Sequence, residues 1–556
     1  MNLRAVRAAA KPTPCPSQAS VVSARTTSGP GARDLSRRNA ATPDPRGEIS
    51  CLLRYPTFLR TEVRAPSAHS TARLNSDQEG ASGGLRGNGK TPHSHSECGS
   101  VLIIVIWVAF GLVSIALYFA HSMSFELRSS DNRVAAVEAE QAIEGAARYV
   151  SNILAKTITQ QQLPGTMPDP LGYRSEGVPV GNARFWLIGR DTNVWQNGPD
   201  RLTFGLVDET SKLNLNVATM DMLQALPNMT AELAANIVAW RQSTNVASVG
   251  GAQSETYLRL QPPYLCKNAP FETVDELRLV YGLNLELLYG EDSNLNGLLD
   301  PNETDGETLP PLDNRDNRLD PGLLEYVTVY SREPTTRTNV NDQQQLQALL
   351  ASVFDSTRAT QIVQRVRGPQ GGGPGTGGGG PGTGAGGSGG PGGAATSFTS
   401  LLEFYMRSGM TAAEFAQVEA SLTASTNIQS LVNVNTASEA VLTAIPGIGI
   451  DKAPALVAYR QSNRGQANSI AWVADVLDRD LTRVTQAGPY LTAHSYQFTA
   501  DIAAVGHHGR GYRRIKFVFD TSDGTPRIVY RQDLTPLGWA LGKQGRADLL
   551  VSKGMR

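Results

Sequence analysis

From Val101 to Ala120 the chain runs twenty residues without a charge, and at 1.5 Å per residue a helix of that length crosses a bilayer. The pattern changes there but does not break. From Met123 to Lys156 there is no proline and a single glycine, Gly145. Apolar residues recur every three or four positions, at Val134, Val137, Ile143, Ala146, Val150 and Ile153, which predicts an amphipathic helix. One continuous helix is expected to leave the membrane and lay its outer half on a soluble domain.

Strand periodicity follows. ARFWLIGR (183–190) and RLTFGLVDE (201–209) read as β-runs on either side of a turn containing Asn197, Gly198 and Pro199. EYVTVYSRE (325–333) reads as a further strand. Near the end, YRRIKFVFD (512–520) and RIVYRQ (527–532) form a predicted hairpin about Ser522-Asp523-Gly524. Between these lie helical patterns: FETVDELRLVYGLNLELLYGED (271–292), with two short helices around Gly282, and SFTSLLEFYMRSGMTAAEFAQVEASL (397–422).

A repeat runs through the helical part. LNLNVATMDMLQALPNMTAELAANIVAWRQ (213–242) aligns without a gap to VNVNTASEAVLTAIPGIGIDKAPALVAYRQ (432–461), with Asn214/Asn433, Asn216/Asn435, Ala218/Ala437, Leu223/Leu442, Pro227/Pro446 and Arg241/Arg460 coinciding. A worn third copy opens at TNVNDQQQLQALL (338–350) and closes with ATQIVQRVR (359–367). Each copy predicts a short extended N-x-N segment, a helix, a hairpin and a second helix, with the asparagines capping backbone amides at the strand-to-helix corner. Pro446, Gly447 and Gly449 of IPGIG (445–449) have the look of a helix-hairpin-helix, whose glycines permit φ > 0 and a phosphate-holding backbone. The first copy has PNMT (227–230) there and lacks both glycines. Only Lys452 adds positive charge near the loop, so packing or protein contact is the favoured role.

Composition separates the ends of the chain. Residues 1–97 hold 14 Lys/Arg against 7 Asp/Glu, leaving 36 against 44, a net of −8, for the rest. An acidic body disfavours nucleic acid as a partner. Residues 1–97 are rich in Pro, Ser, Arg and Gly and read as disordered: either a start assigned too far upstream or a true long leader. Gly368 to Gly393 is low-complexity glycine-rich sequence, a linker or looped insertion. Three of the four cysteines precede the apolar run, leaving Cys266 alone in the body.

A secretory signal has roughly 7–15 apolar residues followed by its small-residue cleavage site. Here Gly99 precedes the run instead, and Arg86 and Lys90 mark that side as cytoplasmic. Taken alone the run reads as an ordinary signal anchor. With its helical continuation it resembles the type IV pilin and pseudopilin N-terminus. That resemblance implies cleavage by a prepilin peptidase between Gly99 and Ser100, with the apolar helix retained. Pilins usually carry Glu at mature position five, where it can neutralise a neighbour's N-terminal amine; here that position is Ile104. A subunit lacking that carboxylate leaves an uncompensated buried charge if stacked above another, but it can sit at a tip.

With LVDETSKLNLNVAT (206–219), VDELRLVYG (274–282) and LVNVNTASEAVLTAIPGIG (431–449), the chain resembles the minor pseudopilin K family of type II secretion systems over most of residues 99–539. The resemblance implies an α+β fold: a transmembrane pilin-like helix and a pilin-like α/β domain with inserted helical, helix-hairpin-helix-like repeats. The expected divisions are 1–99 (leader or mis-assigned extension), 100–156 (helix), 157–212 (first β region), 213–343 (first helical module), 344–367 (third repeat helices), 368–396 (linker), 397–490 (second helical module) and 491–556 (C-terminal β region and tail). It also implies a single-pass protein of the bacterial inner membrane with its body in the periplasm. Expected partners are membrane lipid, the prepilin peptidase, the inner-membrane secretion platform and minor pseudopilins of I and J types, with which it caps the pseudopilus tip and primes assembly for export of folded proteins. A membrane-tethered helix-hairpin-helix DNA receptor for uptake is the alternative, and a calcium-stabilised adhesive protein on an uncut anchor a third.

DSNLNGLLDPNE (292–303) matches D-x-[DN]-x-[DN]-G-x5-E. Asp292, Asn294, Asn296, the Leu298 carbonyl, Asp300 and Glu303 are candidate oxygen ligands for a structural Ca²⁺, with Gly297 making the turn. Asp313, Asp316 and Asp320, with Glu325 nearby, form a second, less regular candidate. Pseudopilin K proteins are similar in carrying such loops. The plainer alternative is a metal-free acidic loop braced by Asx turns. Pro301 excludes a regular helix through the loop's later half. His507 and His508 sit in AVGHHGRGYRR (504–514) and read as loop residues. No catalytic motif appears, so no enzyme is expected.

Overall fold

The computed structural model describes residues 98–160, 165–190, 202–243, 250–367 save 305, 307–309 and 312, 397–425, 430–463, and 469–549 save 544 and 548. The leader, the turn at 197–199 and the glycine-rich linker lie outside the described residues.

Cys98–Gln160 is one unbroken helix of 63 residues, about 95 Å long at the α-helical rise. Its large apolar residues from Val101 to Leu127 are exposed, and it is long and apolar enough to span a bilayer. Its outer half lies on a sheet. The buried stripe is Ala139, Ala142, Ile143, Ala146, Ala147, Val150 and Leu154, at helical spacing. This corrects the expected face: Ile143, Ala146 and Val150 are buried, but Val134 and Val137 are more than half exposed and Ile153 only partly buried. Alanine lets the helix axis approach the sheet closely, so small residues take the contact and valines flank it.

Among the described residues the main sheet has six strands, in the order Val178–Val180, Ala183–Ile188, Gln497–Val505, Arg513–Asp520 and Arg527–Asp533, with Val207–Asp208 also pairing to Gln497–Val505. All pairs are antiparallel. Alternation puts Phe498, Ala500, Ile502, Ala504, Ile515, Phe517 and Phe519 against the helix. The opposite side is polar at Thr499, Asp501, Arg514 and Lys516. The C-terminal hairpin forms as its spacing predicts. The 201–209 run shrinks to Val207–Asp208 and the 325–333 run to Val327–Thr328, because neighbouring residues there turn into short 3₁₀ segments.

The helical repeats share one apolar core. Each copy opens with a two-residue strand that closes in parallel on a later segment: Leu213–Asn214 on Val327–Thr328, Thr338–Asn339 on Leu422–Thr423, and Val432–Asn433 on Leu491–Thr492. The third copy is therefore a true structural repeat, with helices Gln343–Val353 and Ser356–Arg367.

Candidate functional site

The N-x-N corners are Asx turns. Asn214, Asn339 and Asn433 Oδ1 each accept the backbone N–H two residues on, at 2.9, 2.8 and 2.9 Å. The second asparagine reaches farther: Asn216 pairs both ways with the Phe271 backbone, and Asn341 with that of Phe398. The coincident arginines close the turn from behind. Arg241 donates to the Leu215 and Ala218 carbonyls, and Arg460 to those of Val434 and Ala437, at 2.9 and 2.6 Å. Burial brings both guanidinium groups down to about 10.

In the IPGIG hairpin Gly447 and Gly449 have φ of 81° and 62°, as the sequence predicts. A Cβ on Gly447 would lie 2.7 Å from the Arg483 carbonyl oxygen, so the hairpin is pressed against helix Leu481–Ala487. Pro446, beside it, is half-buried. The Lys452 amine is bonded to Asp478 at 2.6 Å and to the Val476 carbonyl, and Asp451 to Arg483 at 3.0 Å. This geometry is that of a packing hairpin, with its nearby cation already paired. In the first copy Asn228 takes φ 58° at the position aligned with Gly447, because asparagine tolerates the left-handed region better than other non-glycine residues.

The 292–303 loop is a buried polar knot at the edge of the sheet. Asp292 accepts the Asn296 and Gly297 amides at 2.9 and 2.8 Å. Glu303 accepts the Ser293 and Asp300 amides, each at 3.0 Å. Asp300 accepts both the Asn294 and Asn296 side-chain amides, at 2.8 and 2.9 Å, and Asn296 Oδ1 accepts the N–H of buried Leu298 at 2.7 Å. Gly297 makes the turn at φ 71°, and Pro301 starts only a 3₁₀ turn. Burial, with the charges of Asp292 and Asp300 added, raises Glu303 to about 7.

Two arginines hold the loop from the sheet. Arg514, fully buried and paired to Asp501, donates to the Asn294 and Leu295 carbonyls. Arg190 donates to Leu295 and bonds Glu325 at 3.0 Å. Among the described residues no three carboxylate, imidazole or thiolate groups converge as a metal cluster. A cation shell here must draw on asparagine and carbonyl oxygens. Asp292, Asp300 and Glu303 are each buried and hydrogen-bonded to amides, and the buried Asn294 Oδ1 has no hydrogen-bond partner.

The second acidic group is gathered differently from expectation. Glu291, which sequence reading missed, accepts the Asn314 and Asp320 amides, beside buried Asp313. Burial and the Asp320 and Asp313 charges push its carboxyl up. Asp316 stays on the surface, accepting the Arg318 amide.

Asp208 and Glu209 were also missed as individual residues. Asp208 accepts from Asn433, Thr436 and Ser495, tying the sheet to the second repeat. Glu209 accepts from Thr328 and Thr499; despite its burial, Lys212 and Lys516 bring it down to about 2. Their only sequence signal was position, a few residues before the first N-x-N. Gly99 and Ser100 lie in the first turn of the long helix.

These features define a class: a protein with a membrane-length helix packed on an antiparallel sheet, whose sheet carries a repeated helical module. Residues 207–289 match the family described as type II secretion system (T2SS), protein K. Residues 428–469 match the helix-hairpin-helix motif. No curated protein matches the chain. A chain in the crystal structure of the GspK-GspI-GspJ complex from the enterotoxigenic Escherichia coli type 2 secretion system is similar at 12% identity and a TM-score of 0.33, over 73% of this chain and 99% of that one.

Proposed function

We propose that this chain is a minor pseudopilin that sits at the tip of a type II pseudopilus and primes its assembly. The observation that carries the reading is the long helix: it runs unbroken from an exposed apolar stretch into an alanine-faced half packed on the sheet. Cleavage by a prepilin peptidase between Gly99 and Ser100 leaves Ile104 at position five, which suits a subunit with none above it. The helix then lies in the inner membrane and the body in the periplasm, where minor pseudopilins of I and J types are its partners and the membrane platform supplies the subunits they cap. The test is N-terminal mass spectrometry of the membrane-purified protein, with co-purification of I- and J-type pseudopilins. A mature end at Ser100 and a co-purifying complex are expected; a chain continuing through Gly99 overturns the reading.

The same reading includes a structural Ca²⁺ held by Asp292, Asn294, Asn296, the Leu298 carbonyl, Asp300 and Glu303. The support is the set of buried carboxylates and the unpartnered Asn294 oxygen. Calcium at about 100 times its Kd is expected to stabilise the body by about 2.7 kcal/mol. A melting temperature indifferent to Ca²⁺ and to chelator removes the cation from the account.

A further inference from the structure

Residues 506–511 close around the long helix at Ala135. A Cβ on Gly506 would lie 2.2 Å from the Ala135 carbonyl oxygen, and one on Gly511 2.3 Å from its carbonyl carbon, so glycine at both ends lets the loop come this close. On the helix, Asp131 and Glu138 stand two turns apart on the face the loop covers. His507 Nε2 lies 2.8 Å from Asp131 Oδ1, and Nδ1 lies 2.7 Å from Glu138 Oε2. The His507 backbone N–H donates to the same Glu138 oxygen at 3.1 Å, and Arg510 bonds the other Asp131 oxygen.

A neutral imidazole has one donor and one acceptor nitrogen, whereas the imidazolium has two donors. With a carboxylate oxygen against each nitrogen, only the imidazolium satisfies both contacts. We propose that the 506–511 loop is a proton-held clasp, in which the His507 imidazolium ties the sheet to Asp131 and Glu138 of the long helix and loss of its proton breaks one of the two bonds. The other charged or titratable groups facing His507 are Arg510 and His508, whose ring centre lies 5.2 Å away; neutral Asn182 bonds Glu138 from the neighbouring turn. The hydrogen bonds to Asp131 and Glu138 hold the imidazole above its ordinary 6.5. The clasp sits where the helix passes from its exposed stretch to its buried one, so its state sets how tightly the 506–511 loop is held to the helix at that junction.

The sign follows from linkage. A group whose folded pKa is raised contributes stability that is full below its unfolded value, about 6.5, and is lost as pH rises through the folded value. The experiment compares the full-length protein and His507→Gln in detergent, by thermal unfolding from pH 5.5 to 9. The wild type is expected to melt about 2–4 °C higher at pH 5.5, with the gap closing by pH 9. A gap of constant size across that range means His507 only fills space, and overturns the proposal. Histidine-labelled NMR of the wild type, with the signal assigned by its loss in His507→Gln, gives a second reading independent of variant folding. A midpoint above 6.5 that falls in Asp131→Asn supports the clasp, and a midpoint at or below 6.5 overturns it.

Discussion

Residues 213–242 and 432–461 build the same corner and hairpin but support them differently. Both use an Asx turn and an arginine bonded to the corner's carbonyls. In the second copy Arg460 is buried and Gly447 is wedged against helix Leu481–Ala487. In the first, Arg241 is partly exposed and Asn228 carries the left-handed turn. A backbone geometry can thus survive the loss of its glycine where no neighbour crowds it. Where a neighbour does crowd it, the glycine answers to packing as well as to φ.

The sharpest way to break this comparison is Gly447→Val. The side chain meets both a positive φ and the Arg483 carbonyl, and a loss of about 4 kcal/mol in denaturant unfolding is expected. Next is Arg460→Leu, which strands the Val434 and Ala437 carbonyls and is expected to cost about 3 kcal/mol; Arg241→Leu should cost about 2, since water can reach its site. Equal losses from the two arginines would mean that burial does not distinguish the copies. Glu419, which holds the Ile470 amide at the start of the helix that follows the second copy, is raised to about 7 by burial. Its contribution is present below its ordinary 4.5 and lost as pH rises through 7, so Glu419→Gln should flatten a slope worth about 3 kcal/mol over that window. The smallest effect belongs to Asn228→Gly, expected to change the unfolding free energy by less than about 0.5 kcal/mol. A large gain there would show that the first hairpin was strained after all.

The elements that were legible in the sequence are those set by neighbours along the chain. Twenty uncharged residues define a membrane-length helix wherever they occur. Asn214, Asn339 and Asn433 bond amides two residues away, so their role could be read from the N-x-N spacing alone. The C-terminal hairpin was similarly local, and Pro301 blocked a helix by its own ring. Within the 292–303 loop, the turn at Gly297 was also visible.

Other features depended on contacts across hundreds of residues. Apolar spacing named Val134 and Val137 as core, but a helix face is chosen by what it packs against, and the sheet accepted alanines. The IPGIG hairpin could be read as a packing or contact element, but only the folded chain brings helix Leu481–Ala487 against Gly447 as its partner. Arg514 and Arg190 carry no motif, yet they hold the 292–303 loop to the sheet from far away in sequence. His507 looked like a plain loop residue because its two carboxylates lie more than three hundred residues upstream. Short-range stereochemistry is written in the order of the residues, whereas burial and charge pairing exist only once the chain has folded back on itself.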